Sequence, residues 1–75
     1  MQKARWSPLK NFLLKQERGV SFEDLIFEGI LIDDIKHPSR ENQRILIYEY
    51  NNYLWSIPYV PEKEGGFLKT IYPNR

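Results

Sequence analysis

The sequence predicts an α+β domain: two N-terminal helices packed on an antiparallel sheet of about four strands. Three observations carry that prediction. Ser7-Pro8 opens a stretch whose apolar residues recur at helical spacing. After Gly29 the apolar residues come instead in β-branched and aromatic runs. Asn51-Asn52 separates two such runs, and both residues tolerate the positive φ that a tight hairpin turn requires.

The first helix starts at Ser7-Pro8. Serine accepts a backbone N–H from the open first turn, and proline at the first helical position gives up a donor that had no partner. Leu9, Phe12 and Leu13 follow at i, i+3, i+4 and form the expected buried stripe, and Gly19 ends the helix as a left-handed residue. Ser21 then caps a second, short helix with Asp24 three residues on, a variant of the capping box, and Val20 is placed to staple to Leu25. Phe22, Leu25 and Ile26 make its buried face and Gly29 closes it.

Ile30 to Ile35 reads as a strand interrupted by acidic residues, and His37-Pro38-Ser39-Arg40 as a turn. Ile45 to Tyr50 and Tyr53 to Val60 form the hairpin. Pairing across its turn puts Leu46, Tyr48, Tyr50, Tyr53, Trp55, Ile57 and Tyr59 on one face; Ile45, Ile47 and Leu54 lie on the other with Glu49, Ser56 and Pro58. Neither face is fully polar, so one is expected to pack on the helices and the other to form a partly exposed aromatic platform. Glu62 to Gly66 is the last loop and Phe67 to Tyr72 the final strand, ended by Pro73; a short strand before Trp6 is also compatible with the pattern.

Seventy-five residues suffice for one domain, residues 1–75, and exclude two. The 41% hydrophobic and 15% aromatic content, with a net charge of only +1, belongs to a chain that folds. Without cysteine there is no disulfide framework, no thiolate metal site and no thiol nucleophile, which points to the cytoplasm. No apolar run approaches the ~20 residues of a membrane span, and the first twenty residues read as an amphipathic charged segment rather than a secretory signal. The near-neutral total hides polarity. Residues 1–20 carry five cations against Glu17, while residues 21–36 carry five carboxylates against Lys36. The first block, with Lys15 and Arg18 toward its end, can offer a basic face to phosphates; two solvated helix faces are the plainer reading.

Much chemistry is excluded by composition and spacing. One histidine and scattered carboxylates make no metal-ligand cluster, Gly65-Gly66 is neither a P-loop nor a dinucleotide fingerprint, and the serines sit at caps, a turn and a strand rather than in a nucleophile motif. No metal and no cofactor are expected. What remains is basic residues among aromatics: Arg40 and Arg44 before the hairpin, Lys69 in the last strand, then Tyr72 and Arg75 at spacings of three. Cations that grip phosphate beside rings that stack on bases are the composition of an RNA-binding surface. His37, the side chain type that titrates nearest neutrality, is a candidate acid or base if its turn faces the sheet.

Residue order adds a resemblance. Arg18-Gly19-Val20-Ser21-Phe22-Glu23-Asp24, after a helix opened by Trp6-Ser7-Pro8, resembles the segment joining the first two helices of BrnT-like toxins. The ending Phe67-Leu68-Lys69-Thr70-Ile71-Tyr72-Pro73-Asn74-Arg75 is similar to their closing basic strand. The His37-Pro38 turn and the hairpin ending in Ile57-Pro58-Tyr59-Val60 look like those of related small toxin-like proteins. The chain departs from the BrnT pattern in stopping at Arg75, before the short basic or helical tail that often follows the last strand there.

The resemblance implies the RelE-superfamily fold and a type II toxin–antitoxin toxin. Such a toxin is a small cytoplasmic ribonuclease that inhibits translation by cutting RNA, including ribosome-bound mRNA, and is held inactive by a cognate antitoxin of the ribbon-helix-helix kind. It implies that Lys69 holds the scissile phosphate and that Arg75 plays a similar electrostatic part. From its chemistry Tyr72 is a candidate for stacking on a base or orienting the leaving group, and Arg44 for gripping the backbone. The product would be a 2′,3′-cyclic phosphate. A second reading, from the residues alone, is a non-catalytic interaction module whose exposed Tyr48, Tyr53, Trp55 and Tyr59 grip a partner protein.

Overall fold

A computed structural model of the chain describes residues 3–74. Its elements are β1 (Lys3–Arg5), α1 (Pro8–Arg18), a single π-helical turn (Asp24–Glu28), β2 (Ile30–Lys36), β3 (Arg44–Tyr50), β4 (Tyr53–Glu62), β5 (Gly65–Leu68) and β6 (Tyr72–Pro73). The strands form one sheet in the order β1-β5-β4-β3-β2, with β6 pairing to β4 beyond β5. All neighbours run antiparallel except β1, which lies parallel to β5. The α+β class stands. The finer expectation is corrected on two counts: one α-helix is present rather than two, and the sheet is mixed and six-stranded rather than antiparallel with about four.

The missing second helix has a local cause. Its capping box forms as expected, the Ser21 N–H donating to Asp24 at 2.9 Å and the Asp24 N–H to the Ser21 hydroxyl at 3.1 Å. Yet the Gly29 N–H already closes onto the Leu25 carbonyl at 3.0 Å, leaving too few residues for a helix to propagate. Phe22, Ile26 and Phe27 are also weak helix formers. Burial of Phe22 and Leu25, both fully inaccessible, holds the turn instead.

On α1 the caps are as read: the Ser7 hydroxyl accepts from the Lys10 N–H, and Gly19 takes φ 76°. The helix faces the other way, however. Leu9, Phe12 and Leu13 are exposed at 67%, 59% and 42%, whereas Leu14 is buried. Asn11 sets this rotation, accepting the Phe22 N–H at 2.8 Å and donating to Glu23 at 2.6 Å, while Lys15 pairs with Asp24 at 2.8 Å. An amide that satisfies an open backbone donor at the next turn outranks the apolar stripe.

The core lies between this helical layer and one face of the sheet. Leu14, Val20, Phe22 and Leu25 meet Leu46, Tyr48, Ile57, Tyr59, Leu68 and Ile71. The hairpin register matches the expected face, with Tyr48 opposite Trp55 and Leu46 opposite Ile57, and Asn51 and Asn52 take φ 53° and 61°. That aromatic face is the core face. Tyr48 and Tyr59 are 9% and 5% exposed and Trp55 is half-buried, so of the expected exposed platform of Tyr48, Tyr53, Trp55 and Tyr59 only Tyr53 is exposed. Among the described residues no helix packs on the opposite face, whose Ile45, Ile47, Ser56 and Pro58 are nonetheless buried beneath the neighbouring side chains of the sheet.

The last strand is broken by a bulge. Leu68 pairs with Tyr59 and Tyr72 with Ser56, so three residues, 69–71, stand opposite two, 57–58. Pro58 explains the break. Its carbonyl accepts the Lys69 N–H at 2.8 Å, and in a strand the N–H and C=O of a residue point to the same side, so its missing donor faces the segment where pairing fails. The extra residue lets Ile71 turn fully into the core.

Candidate functional site

The loop between β2 and β3 is organised around one imidazole. His37 Nδ1 accepts the backbone N–H groups of Ser39 at 3.1 Å and Arg40 at 3.2 Å, and the Ser39 hydroxyl lies 3.5 Å away. The backbone closes the same loop: the His37 N–H donates to Gln43 O at 3.1 Å and the Gln43 N–H to Arg40 O at 3.2 Å. Pro38 has no donor to satisfy, so the imidazole collects the two that follow it.

Across the sheet's end from this loop runs the bulge after β5. Together they form an open groove of about 400 Å³ lined by His37, Arg40, Gln43, Pro58, Lys69 and Thr70. Lys36 and Glu41 line an adjoining hollow that shares His37 and Arg40. Among the described residues, Lys36, Arg40 and Lys69 have no ion-pair partner, and with Glu41 as the one carboxylate lining the two hollows this end of the sheet carries an excess of positive charge. A different groove at the hairpin turn is lined by Glu28 and Glu49, the wrong sign for a phosphate.

The groove opens on the face without a helix. Phe67 pairs with Val60, whose side chain shares that face with Pro58 and Ser56, and Tyr72 stands opposite Ser56 two residues along β4. The Lys69 ammonium lies 6.0 Å from the centre of the Phe67 ring, and the Arg5 guanidinium 5.3 Å from it. Arg5 is clamped by two hydrogen bonds to Glu62, at 3.0 and 2.7 Å, which raise the guanidinium's pKa and lower that of the Glu62 carboxyl. No family model, curated protein or solved structure matches this chain.

Of the residues singled out from sequence, His37, Arg40 and Lys69 meet in the groove and Tyr72 lies on the same face. Three others do not join them. Lys15 is paired with Asp24, and with Arg18 belongs to α1, on the opposite side of the sheet. Arg44 points to the core-face side, where its Nε donates to Asp34 Oδ1 at 3.0 Å and its terminal nitrogen to the Asp34 carbonyl at 2.8 Å. Those hydrogen bonds raise its pKa. Arg75 lies outside the described residues. Sequence reasoning missed Gln43, Thr70, Phe67 and Arg5. Phe67 was within reach, because it stands two residues before Lys69 and alternation puts both on one face; Arg5 joins only through the parallel β1–β5 pair. No helix among the described residues is long and apolar enough to cross a membrane.

Proposed function

We propose that this protein is an endoribonuclease that works without a metal ion, the toxin of a toxin–antitoxin pair of the BrnT-like, RelE-superfamily kind, acting in the cytoplasm to inhibit translation. The observation that carries the reading is the convergence of Lys69 and Arg40, two cations without ion-pair partners among the described residues and from segments far apart in sequence, on one open groove at the end of a helix-free sheet face. Its residue types suit an RNA phosphodiester.

RNA carries its own nucleophile. The 2′-oxygen forms a bond to phosphorus, the bond from phosphorus to the 5′-oxygen breaks, and the products are a 2′,3′-cyclic phosphate and a 5′-hydroxyl. Water takes the proton from the 2′-hydroxyl and supplies one to the leaving oxygen. The protein's part is alignment and charge: Lys69 and Arg40 stabilise the negative charge that builds on the phosphoryl oxygens, and binding fixes the in-line geometry. Phe67 and Tyr72 give the flanking nucleotides apolar and aromatic surface on the same face. A ribbon-helix-helix antitoxin is the proposed partner, as the residue order implies. The aromatic interaction module loses its premise, since Tyr48 and Tyr59 are core residues.

The test places purified protein with RNA in EDTA, beside a translating cell extract, and maps new RNA ends for wild type and Lys69→Ala. Cuts in both arms that end in cyclic phosphate and vanish with Lys69→Ala support the proposal. Cuts only in the extract place the substrate on the ribosome. Folded protein that cuts in neither arm sinks it.

A further inference from the structure

The position of the hydrogen on His37 follows from what surrounds its ring. A neutral imidazole has one donor nitrogen and one acceptor nitrogen. Nδ1 receives two backbone N–H groups, those of Ser39 and Arg40, so the lone pair is on Nδ1 and the hydrogen on Nε2. General-base action at Nε2 would need the other tautomer, with a hydrogen on Nδ1 facing two backbone donors. General-acid action would need an imidazolium, which brings the same collision. Either form breaks two hydrogen bonds and opens the turn that carries Arg40.

We infer that His37 is a positioning residue: its Nδ1 lone pair builds the turn that sets Arg40 at the groove, and its ring takes no part in proton transfer. Its placement fits that role. His37 is the last residue before Pro38, its own N–H donates to Gln43 O, and Gln43 in turn donates to Arg40 O. One imidazole accepting two backbone N–H groups, with two backbone–backbone bonds, thus ties together the residues that line the loop's side of the groove. The inference deepens the ribonuclease reading and rests on it only for what Arg40 binds; the turn itself is independent of function.

The experiment uses two substitutions. His37→Asn removes the imidazole but keeps an acceptor, because an asparagine side-chain oxygen bonds the N–H two residues on, and Asn-Pro favours turn initiation. His37→Phe keeps a ring and loses the acceptor. Three readings are taken on each protein: hydrogen exchange at the Ser39 and Arg40 amides, RNA cleavage, and affinity for a single-stranded oligoribonucleotide. The wild-type ring is assigned by its two nitrogen resonances.

The expected result is the Nε2–H tautomer in the wild type, with slow exchange at both amides. His37→Asn retains this protection and cuts within about twofold of wild type, while His37→Phe loses it and falls by about tenfold or more through misplacement of Arg40. Equal loss of cleavage in both variants, with the amides still protected in His37→Asn, overturns the inference in favour of proton transfer. Amides equally protected in His37→Phe, or a wild-type ring carrying its hydrogen on Nδ1, also overturn it. A wild-type protein that cuts no RNA overturns the ribonuclease reading alone; tautomer and amide exchange then decide this one.

Discussion

The Tyr59 hydroxyl donates to both carboxylate oxygens of Asp34, each at 2.9 Å. Tyr59 is on β4 and Asp34 on the edge strand β2, so the contact reaches across β3 between them. Every residue of β2 is exposed, and this bridge, with Arg44 on the same carboxylate, ties the edge strand to the core. Removing the hydroxyl should therefore loosen β2.

Tyr59→Phe is expected to cost about 1–2 kcal/mol, the worth of a hydrogen bond to a charged acceptor at a partly wet site. Urea unfolding reads the value. The Tyr59 phenol is pushed up by burial first, then by the hydrogen bond to Asp34 and its charge, against a smaller lowering by Arg44. Its folded pKa is above the unfolded one, so the stabilisation is complete below the ordinary tyrosine value of about 10 and is lost as pH rises through the folded value. Tyr59→Phe should flatten that alkaline limb.

At the π turn, Ser21→Ala should cost about 1 kcal/mol by leaving the Asp24 N–H uncapped. Burial by itself would raise the Asp24 carboxyl, but hydrogen bonds from Lys15, the Ser21 N–H and the Ser21 hydroxyl outweigh it and hold the pKa below the usual range. The sign is then the opposite of that for Tyr59: stability is complete above about pH 4 and is lost as pH falls through the lower folded value. An acid titration of unfolding, repeated on Asp24→Asn, checks it by the loss of that limb.

Gly19→Ala isolates a backbone cost. Gly19 has φ 76°, and a Cβ built there meets nothing within 4 Å. The penalty of about 1 kcal/mol is then conformational alone, with no steric part. A lowered thermal midpoint with an unchanged near-UV spectrum is the expected readout.

Function and stability should separate between the cations. Lys69→Ala removes an exposed charge from the groove and should lower RNA cleavage by about 10–100-fold while leaving the urea midpoint nearly unchanged. Arg44→Ala, which breaks the Asp34 pair, should lower the midpoint and leave cleavage per folded molecule as in wild type. Equal losses of cleavage in the two variants would show that the groove is misplaced.

Salt supplies a count. If Lys69 and Arg40 each neutralise one phosphate of a single strand, the logarithm of oligoribonucleotide affinity should fall against the logarithm of salt with a slope of about −1.4, or ~0.7 per phosphate. Arg40→Ala should halve it, and Lys15→Ala should leave it alone.

Local chemistry was legible from the order of residues. The caps at Ser7 and Ser21, the left-handed Gly19, the Asn51-Asn52 turn and the hairpin faces each follow from interactions within a few residues or from a period of two, and each is present. The short strand before Trp6 is present too. The burial of α1 was not legible, because Asn11 reaches a backbone N–H eleven residues away, and no periodicity in Leu9, Phe12 and Leu13 reports that. Nor was the length of the second helix, which is decided by how soon Gly29 must enter the sheet.

For the candidate site the division falls in the same place. Residue types alone singled out Lys69, Tyr72, His37 and Arg40, since phosphate recognition needs cations and rings. Lys15, Arg18 and Arg44 were equally good by type, and they drop out because Lys15 and Arg44 find carboxylates and α1 lies on the other layer. By itself, then, the sequence determined the α+β class, the turns and caps, and the kinds of side chain available for chemistry. The tertiary structure alone decided which cations remain unpaired at one groove, through the ion pairs that occupy Lys15 and Arg44 and the bulge opposite Pro58 that meets the β2–β3 loop. The physical reason is range: caps and turns are fixed by neighbours in the chain, whereas pairing of charges and choice of sheet face depend on partners brought together only when distant segments pack.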